Sequence, residues 1–177
     1  MTDTSALGRL KRALKRDKVW LRFVDISKGS FRPEFSEFVV EMQKLHKTRT
    51  VRQLATAMPT GKRIGEAALV DQSVRSRCTE ICMDVMASSS YLSLSIENMR
   101  RYILANYDDL LVDSGITRIT EKRTIVDGLF NTASSRLQRL YDIIDVADLV
   151  IKDIDQAGWA LARTTTALEI AVKREGA

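Results

Sequence analysis

The chain has 177 residues, of which 45% are hydrophobic and 29% charged, and its net charge is +5. This length suits one domain with a modest core, and the composition is that of a folded protein rather than a disordered one. Both prolines, Pro33 and Pro59, lie in the first third of the sequence. The proline-free remainder favours long helices over a turn-rich β architecture.

The cysteines and the apolar runs bear on location. Cys78 and Cys82 are four residues apart in a helical pattern, which does not make a secreted disulfide framework. No apolar run approaches the length that spans a bilayer, and leucines alternate with charged residues where a signal peptide has its apolar core. We therefore expect a cytoplasmic protein without a membrane span.

The first predicted element is a basic amphipathic helix from Ser5 to about Val24. Leucines recur in it at helical spacing, and Thr4 or Ser5 can cap its start. Residues 26–30 are predicted as a loop because they combine Ser, Lys and Gly. The cations of this helix are Arg9, Lys11, Arg12, Lys15, Arg16, Lys18 and Arg22.

A second helix is predicted to begin at Pro33, because proline suits the first helical turn and Glu34 lies near the positive end of the helix dipole. Its apolar stripe fades near His46. The following stretch is the least regular part of the sequence. Val51 to Met58 is predicted as a short helix, followed by a turn over residues 59–63.

From about Glu66 to Leu111 the sequence has a heptad-like apolar seam with a phase slip near Ser95. Ser88–Ser90 is its weak point and can host a bend. Asp113–Gly115 is predicted to end the helix. The seam consists of Val74, Cys78, Ile81, Val85, Ser88, Leu92, Met99 and Ile103.

The last predicted helix runs from about Thr120 to Lys173, with apolar residues at every third or fourth position. A short connection between two such helices makes them antiparallel neighbours. Ile143, Val146 and Val150 widen the apolar stripe beyond what one partner helix covers. The N-terminal helices, another copy of the chain, or both are expected to pack there.

Together these elements predict an all-α fold: a long antiparallel helical hairpin, coiled-coil-like, with two or three shorter N-terminal helices, in a homo-oligomer. The predicted domains are a basic helical region over residues 1–65 and the hairpin over residues 66–177. Their net charges are +9 and −4. Such asymmetry favours a polyanionic partner, or contact between one copy's front and another copy's body.

The sequence offers no convincing catalytic or metal-binding residues. His46 is the only histidine, and the Glu-x-x-His pairs of di-iron bundles are absent. We expect no catalytic residue, no cofactor and no metal, and hence no enzyme. The last helix carries an acidic band, interpreted either as a solvated or salt-bridged face or as a docking strip for a neighbour's basic helix. Its members are Asp142, Asp145, Asp148, Asp153 and Asp155.

Clustered cations are the remaining functional signal. Cations placed on phosphates release condensed counterions, and Trp20 and Phe23 beside them can stack on unpaired bases, which favours single-stranded DNA. The alternatives are a solvated face and a helix lying on an anionic membrane, although Asp17 interrupts the apolar side. A second predicted group of nucleic-acid-binding cations flanks the hairpin turn: Arg100, Arg101, Arg118, Lys122 and Arg123.

The segment from Ile96 to Gly176 resembles the phage UvsY-type recombination mediators. The resemblance consists of a basic segment, a Ser-Gly break, a helix start at Glu121-Lys122 and a long helix that contains Val150–Trp159. It implies a small, oligomeric, helical protein that binds single-stranded DNA and helps to load a recombinase. The cations of the second group would then be the corresponding DNA contacts, whereas the long basic front departs from that family.

Two functions are predicted from these patterns. The first is a non-enzymatic, homo-oligomeric nucleic-acid-binding protein that contacts the phosphate backbone, as a phage recombination or replication accessory in the host cytoplasm, with room for a protein partner. The alternative is a structural coat, virion or scaffold subunit that assembles through helix packing and contacts between basic front and acidic body.

Overall fold

A computed structural model of the chain describes residues 5–48 and 61–175. Within these residues the chain forms seven α-helices and no β-strand, which confirms the predicted all-α fold class. Two of the helices are long, with 46 and 45 residues. In chain order the helices are α1 (Ala6–Leu14), α2 (Lys18–Gly29), α3 (Pro33–Thr48), α4 (Gly61–Asn106), α5 (Asp108–Val112), α6 (Ile119–Asp127) and α7 (Asn131–Glu175).

The chain divides into two compact units, and each combines front segments with segments of the long helices. Unit 1 comprises Met1–Pro33 and Met86–Asp142, and unit 2 comprises Glu34–Val85 and Ile143–Ala177. Unit boundaries therefore lie inside α4 and α7, and residue 65, the predicted domain boundary, also lies inside α4. Unit 1 has 16 Lys and Arg against 10 Asp and Glu, a net charge of +6; unit 2 has 12 against 13, a net charge of −1.

In unit 1 the basic N-terminal segment forms two helices, so the prediction of a single helix there was wrong. Ser5 caps α1, because its hydroxyl accepts a hydrogen bond from the Gly8 N–H at 3.1 Å; the alternative cap, Thr4, lies outside the described residues. Asp17 caps a new helix directly afterwards. That helix, α2, also occupies most of residues 26–30, which the sequence predicted as a loop.

A turn at residues 128–130 separates α6 from α7, so the prediction of one helix from Thr120 to Lys173 was wrong at this point. Tight hydrogen bonds from residue i+3 back to residue i hold the turn. Leu7 of α1 packs against Gly128, where an added Cβ would lie 3.6 Å from the Leu7 Cδ2. The turn places the Phe130 ring in the core of unit 1.

The predicted break between the long helices is present at Gly115. Its φ is +83°, a conformation that glycine adopts without strain, and its N–H donates to the Val112 carbonyl at 2.8 Å. The helices on both sides contribute to one core, as the seam pattern predicted. The largest fully buried side chains of unit 1 are Leu10, Leu14, Leu92, Ile103, Leu111, Val126, Phe130 and Leu140.

Helix α4 follows the predicted seam but ends at Asn106, so the prediction of one helix as far as Leu111 was wrong: Tyr107 separates α4 from α5. It continues through Ser88–Ser90, and Ser89 rather than Ser88 lies in the seam. The buried Ser89 hydroxyl donates to the Met86 carbonyl at 2.9 Å, which satisfies it without a bend.

Unit 2 contains α3, the first half of α4 and most of α7. Helix α3 begins at Pro33, as predicted, and packs Phe35 and Met42 into the core. Arg77 of α4 is joined to Glu41 of α3 by an ion pair of 2.7 Å. The short helix predicted over Val51–Met58 lies outside the described residues, whereas Gly61–Arg63, predicted as part of a turn, belongs to α4.

The apolar ladder of α7 is buried over only part of its length. In unit 2, Ala147, Val150 and Ile154 are buried, but the same pattern continues into an exposed end. Val172 there is 68% exposed and Trp159 is 72% exposed. Within one chain, the buried stretch of α7 therefore ends near Ile154, although the apolar spacing continues to Val172.

Candidate nucleic-acid interface

All twelve predicted nucleic-acid-binding cations belong to unit 1, the unit with the net positive charge. They form two groups that the fold treats differently. The front cations lie on α1, on α2 and between them. The turn cations lie at the end of α4, on α6 and just before it. Their availability to a ligand depends on burial and on nearby carboxylates.

The front cations are exposed because α1 is amphipathic. Leu10 and Leu14 point into the core of unit 1, and the basic side chains occupy the opposite side of the helix. Within the described part of the chain, Lys11, Lys15 and Arg16 have no carboxylate within ion-pair distance, nor do the remaining front cations on α2. The exposed members are Arg9, Lys11, Arg12, Lys15, Arg16, Lys18 and Arg22.

The corner between α1 and α2 is fixed by Asp17. In the sequence pattern this residue only interrupts the apolar side of the predicted helix. One carboxylate oxygen accepts the backbone N–H groups of Val19 and Trp20, at 2.7 and 3.0 Å. The other accepts the hydroxyls of Tyr102, at 2.9 Å, and Tyr107. An Asp directly before a new apolar run is a helix N-cap signal, so this role was open to sequence analysis.

The same contacts shift the acidities of the three side chains. Partial burial works to raise the pKa of Asp17, but the hydrogen bonds from Tyr107, the Trp20 N–H and Tyr102 outweigh it and lower that pKa. Burial, together with the hydrogen bond to Asp17, raises the pKa of Tyr107 to about 12. The cluster therefore holds one negative charge at neutral pH, fully hydrogen-bonded and directed towards α4.

Lys122 has a structural role that limits its use as a ligand contact. The residue is 7% exposed, and its Nζ donates to the Asp108 carboxylate at 2.5 Å. This ion pair joins α6 to α5 across the Gly115 turn. A buried ammonium that is already paired is poorly placed to bind a phosphate.

Arg100 and Arg101 also meet carboxylates. The Arg100 Nε donates to Asp127 at 2.7 Å, and a second Arg100 nitrogen donates to Glu97. The Arg101 Nε donates to the other Glu97 oxygen at 3.2 Å. The hydrogen bonds to Glu97 lower the pKa of its carboxyl, and the bond from Arg100 has the largest effect. Arg123 lines the same cleft of about 580 Å³.

The structure thus brings three of the turn cations together, as the hairpin prediction required, but with two carboxylates among them. The remaining turn cation, Arg118, is exposed and lies 3.9 Å from Glu121. A cleft in which three arginines surround two acids has little net positive charge. Most of the front cations, in contrast, have no carboxylate within ion-pair distance among the described residues: Lys11, Lys15, Arg16, Lys18 and Arg22.

The aromatic residues beside the front cations are largely internal. Phe23 is 4% exposed, so its ring is not available to an unpaired base. Trp20 is half-buried and lies 5.3 Å from Phe23 and 6.0 Å from Phe130, measured between ring centroids. The role predicted for Trp20 and Phe23, stacking on unpaired bases, does not fit this packing.

The histidine, the cysteines and all of the acidic band except Asp142 lie in unit 2. His46 contacts Asp153 at 2.6 Å, and Arg75 contacts Asp155 at 2.8 Å, so this part of the acidic band is salt-bridged within the chain. Cys78 is buried in the seam, and burial raises the pKa of its thiol. The remaining acids of the band are exposed: Asp142, Asp145 and Asp148.

A comparison of the chain with protein-family models, curated proteins and solved structures found no match. The resemblance to the UvsY-type mediators therefore stays a prediction. Over residues 5–48 and 61–175, no helix combines the length and the apolar character that crossing a membrane requires.

Proposed function

We propose that this chain is a non-enzymatic nucleic-acid-binding protein whose α1–α2 corner contacts the phosphate backbone. The observation that carries the proposal is the set of exposed front cations on a unit of net charge +6. Among the described residues, five of them have no carboxylate within ion-pair distance: Lys11, Lys15, Arg16, Lys18 and Arg22. Clusters of like charge on a rigid surface attract a polyanion over a distance and bind it without reading its sequence.

Two structural features support a fixed binding surface rather than a loose basic tail. Leu10 and Leu14 anchor α1 in the core, and Asp17 ties the start of α2 to two tyrosines of unit 1. The cations therefore start from ordered backbone. Less conformational entropy is lost on binding than a disordered basic segment would lose.

The biological setting that we propose is a phage recombination or replication accessory that works as a homo-oligomer in the cytoplasm of the host. The sequence resemblance to UvsY-type mediators supports this setting, and so does the exposed apolar end of α7. The front, rather than the turn group that corresponds to that family's cations, is the principal contact in this proposal.

The test is a salt titration. Equilibrium binding of the full chain to a labelled single-stranded oligonucleotide and to a duplex of equal length is measured from low to moderate salt. We expect the logarithm of the association constant to fall linearly with the logarithm of salt concentration, by about 0.9 per phosphate neutralised in the duplex. Binding that is absent at low salt, or independent of salt, overturns the proposal.

A structural subunit is the second candidate, and the exposed end of α7 favours it. Leu168 and Val172 continue the apolar pattern on a part of the helix that is exposed. Apolar surface of this kind is covered in many proteins by a second copy. Light scattering separates the candidates: an open polymer that forms without nucleic acid favours a coat or scaffold, and a closed small oligomer favours the binding protein. Leu168→Asp with Val172→Asp should reduce the mass in either case.

A further inference from the structure

Tyr91 is an exposed aromatic residue that lies between two clefts of unit 1. It belongs to α4 and is 55% exposed. One cleft, of about 290 Å³, is formed with α2 and includes Val19, Arg22 and Leu94. The other, of about 390 Å³, includes Arg32. Tyr91 therefore separates the two clefts: the one on its first side is open and mainly apolar, and the one on its other side is more polar.

The composition of the clefts indicates the kind of ligand that they suit. Val19 and Leu94 are 45% and 60% exposed, which leaves apolar surface open to solvent beside the tyrosine ring. An arginine lines each cleft, and no carboxylate is among the lining residues of either. The ligand that fits is flat, partly apolar and joined to negative charge.

Asp17 is a carboxylate in contact with a lining residue of the first cleft. It accepts the hydroxyl of Tyr102, a residue that lines the first cleft. Both its oxygens are occupied by hydrogen bonds, so its charge is stabilised behind the tyrosine rather than presented to the cleft. Asp25, on the same helix as Arg22, lies 3.9 Å from Lys28.

We propose that the clefts beside Tyr91 bind unpaired bases of a single strand, one base stacking on the tyrosine ring while Arg22 contacts the adjoining phosphate. The inference rests on the proposed nucleic-acid function and assigns its strand preference to a named site. Every base has a π-face, so a tyrosine platform binds bases with little regard to sequence. Bases in a duplex are already stacked and paired, and they do not reach such a cleft.

The volumes agree with this occupant. The cleft of about 290 Å³ is at the lower end of the range for small-ligand sites, about 300 Å³. It is too small for a folded partner but open enough for a base that remains joined to its strand. The free Arg22 and its neighbour Lys18 continue the front cations towards the cleft, so a strand bound along the front is led to it.

The experiment compares Tyr91→Ala with Tyr141→Ala, the same change at another exposed tyrosine of unit 1. Each is tested with a labelled deoxythymidine oligonucleotide, an abasic strand with the same number of phosphates, and a duplex. Tyr91→Ala should bind the oligonucleotide about 10-fold more weakly, with little change for the abasic strand or the duplex. Tyr91→Phe should keep the affinity, and Tyr91→Leu, which keeps apolar bulk, should lose it.

Circular dichroism and thermal unfolding confirm that each variant is folded, and the outcomes then separate. If the wild-type chain binds no nucleic acid, the proposed function fails and this inference with it. If binding is salt-dependent but Tyr91→Ala leaves it unchanged, or weakens all three ligands equally, only the base site is overturned. A change in native mass without a change in affinity would make the surface a contact between copies and overturn the site as well.

Discussion

The two groups of cations in unit 1 have the same side chains but different surroundings. The front cations are exposed, and among the described residues Lys11, Lys15, Arg16, Lys18 and Arg22 form no ion pair, whereas the turn cations lie beside Glu97, Asp108, Glu121 and Asp127. The charges of the first group are available to bind a partner. In the second group, Arg100 and Lys122 form ion pairs that join α4, α5 and α6.

The comparison shows that the number of cations in a segment does not measure its affinity for phosphate. Lys122 is buried in an ion pair, and its loss should affect folding. Arg101 is exposed in a pair that contributes little energy, so a phosphate can compete for it. Lys11, Lys15 and Arg16 form no ion pair among the described residues, so no such pair has to break before they bind. Four substitutions test how the surroundings of these side chains divide their roles between binding and stability.

The largest effect is expected from reversing three front charges: Lys11→Glu, Lys15→Glu and Arg16→Glu in one variant. Affinity for an oligonucleotide at low salt should fall by about 100-fold or more, and the salt slope should drop by about 2 to 3, because three phosphate contacts are lost. Fluorescence anisotropy over a salt series measures both quantities.

The matched control reverses three exposed cations of α7: Lys152→Glu, Arg163→Glu and Lys173→Glu. It changes the net charge equally, and its affinity should fall by less than about 5-fold, since these residues belong to unit 2. Equal losses in both variants would mean that binding depends on net charge alone, and the distinction between the groups would disappear.

The second change is Lys122→Ala. It should lower the free energy of unfolding by about 1–2 kcal/mol, because it removes a buried side chain and leaves the Asp108 carboxylate without its cation. Urea denaturation measures the loss. Its control, Arg123→Ala at the exposed neighbour, should change stability by less than about 0.5 kcal/mol. A stable Lys122→Ala that binds DNA poorly would place this lysine among the ligand contacts instead.

The third change is Asp17→Asn, which keeps a capping side chain but removes its charge. At neutral pH the variant should be less stable by about 1 kcal/mol, because the tyrosine hydroxyls lose a charged acceptor. The pKa of Asp17 is lower in the folded chain than its ordinary value of 3.8, so the unfolded chain binds the proton first as pH falls. The wild-type advantage is therefore complete above about pH 4 and is lost below it.

Tyrosine absorbance gives a second measurement on the same variant. In the wild-type chain Tyr107 should ionise with a pKa of about 12, late among the tyrosines. Its neutral form is favoured by folding, so this contribution to stability is present below the ordinary value of 10.0 and disappears as pH rises through 12. Asp17→Asn should move the Tyr107 pKa down towards the ordinary value. No movement would show that the carboxylate does not hold the tyrosine.

The smallest effect is expected from Arg101→Ala. An exposed ion pair contributes about 0–1 kcal/mol, so stability should change by less than about 0.5 kcal/mol. DNA affinity should fall by less than about 3-fold at low salt, since one partly neutralised contact is lost. A loss as large as that of the triple front variant would reverse the order of the two groups.

The sequence was sufficient for the fold class and for the seam. Apolar residues at every third or fourth position predicted both long helices, because that spacing places them on one face. Pro33 and Gly115 marked a start and a break correctly, since each restricts the backbone by itself.

The three breaks that the sequence missed, before Asp17, at Tyr107 and at residues 128–130, involve contacts between distant residues. The turn at residues 128–130 allows Phe130 to meet Phe23 and Trp20, more than a hundred residues earlier in the chain. The periodicity from Val126 onwards has no mark of that requirement, so an uninterrupted helix was the natural prediction. At Asp17 the signal was present but was outweighed by the leucine spacing on both sides.

The candidate site was predictable as residue types and not as surfaces. Arg100 and Lys122 look as basic in the sequence as Lys15 does, and only the fold shows which of them has a carboxylate beside it. Tyr91 had no signal in the sequence, because its role depends on where α2 crosses α4.

Each unit contains side chains that can report on its opening: the buried cysteines in unit 2 and Trp20 in unit 1. Cys78 and Cys82 are the only thiols of the chain, and both lie in the core of unit 2. The rate at which they are alkylated therefore measures how often unit 2 opens. The fluorescence emission of Trp20 reports on the packing of the aromatic cluster of unit 1. Because Trp159 of unit 2 also emits, the experiment uses a Trp159→Phe variant, in which Trp20 is the remaining tryptophan. Following both signals as an oligonucleotide is added would measure whether a ligand on one unit slows the opening of the other.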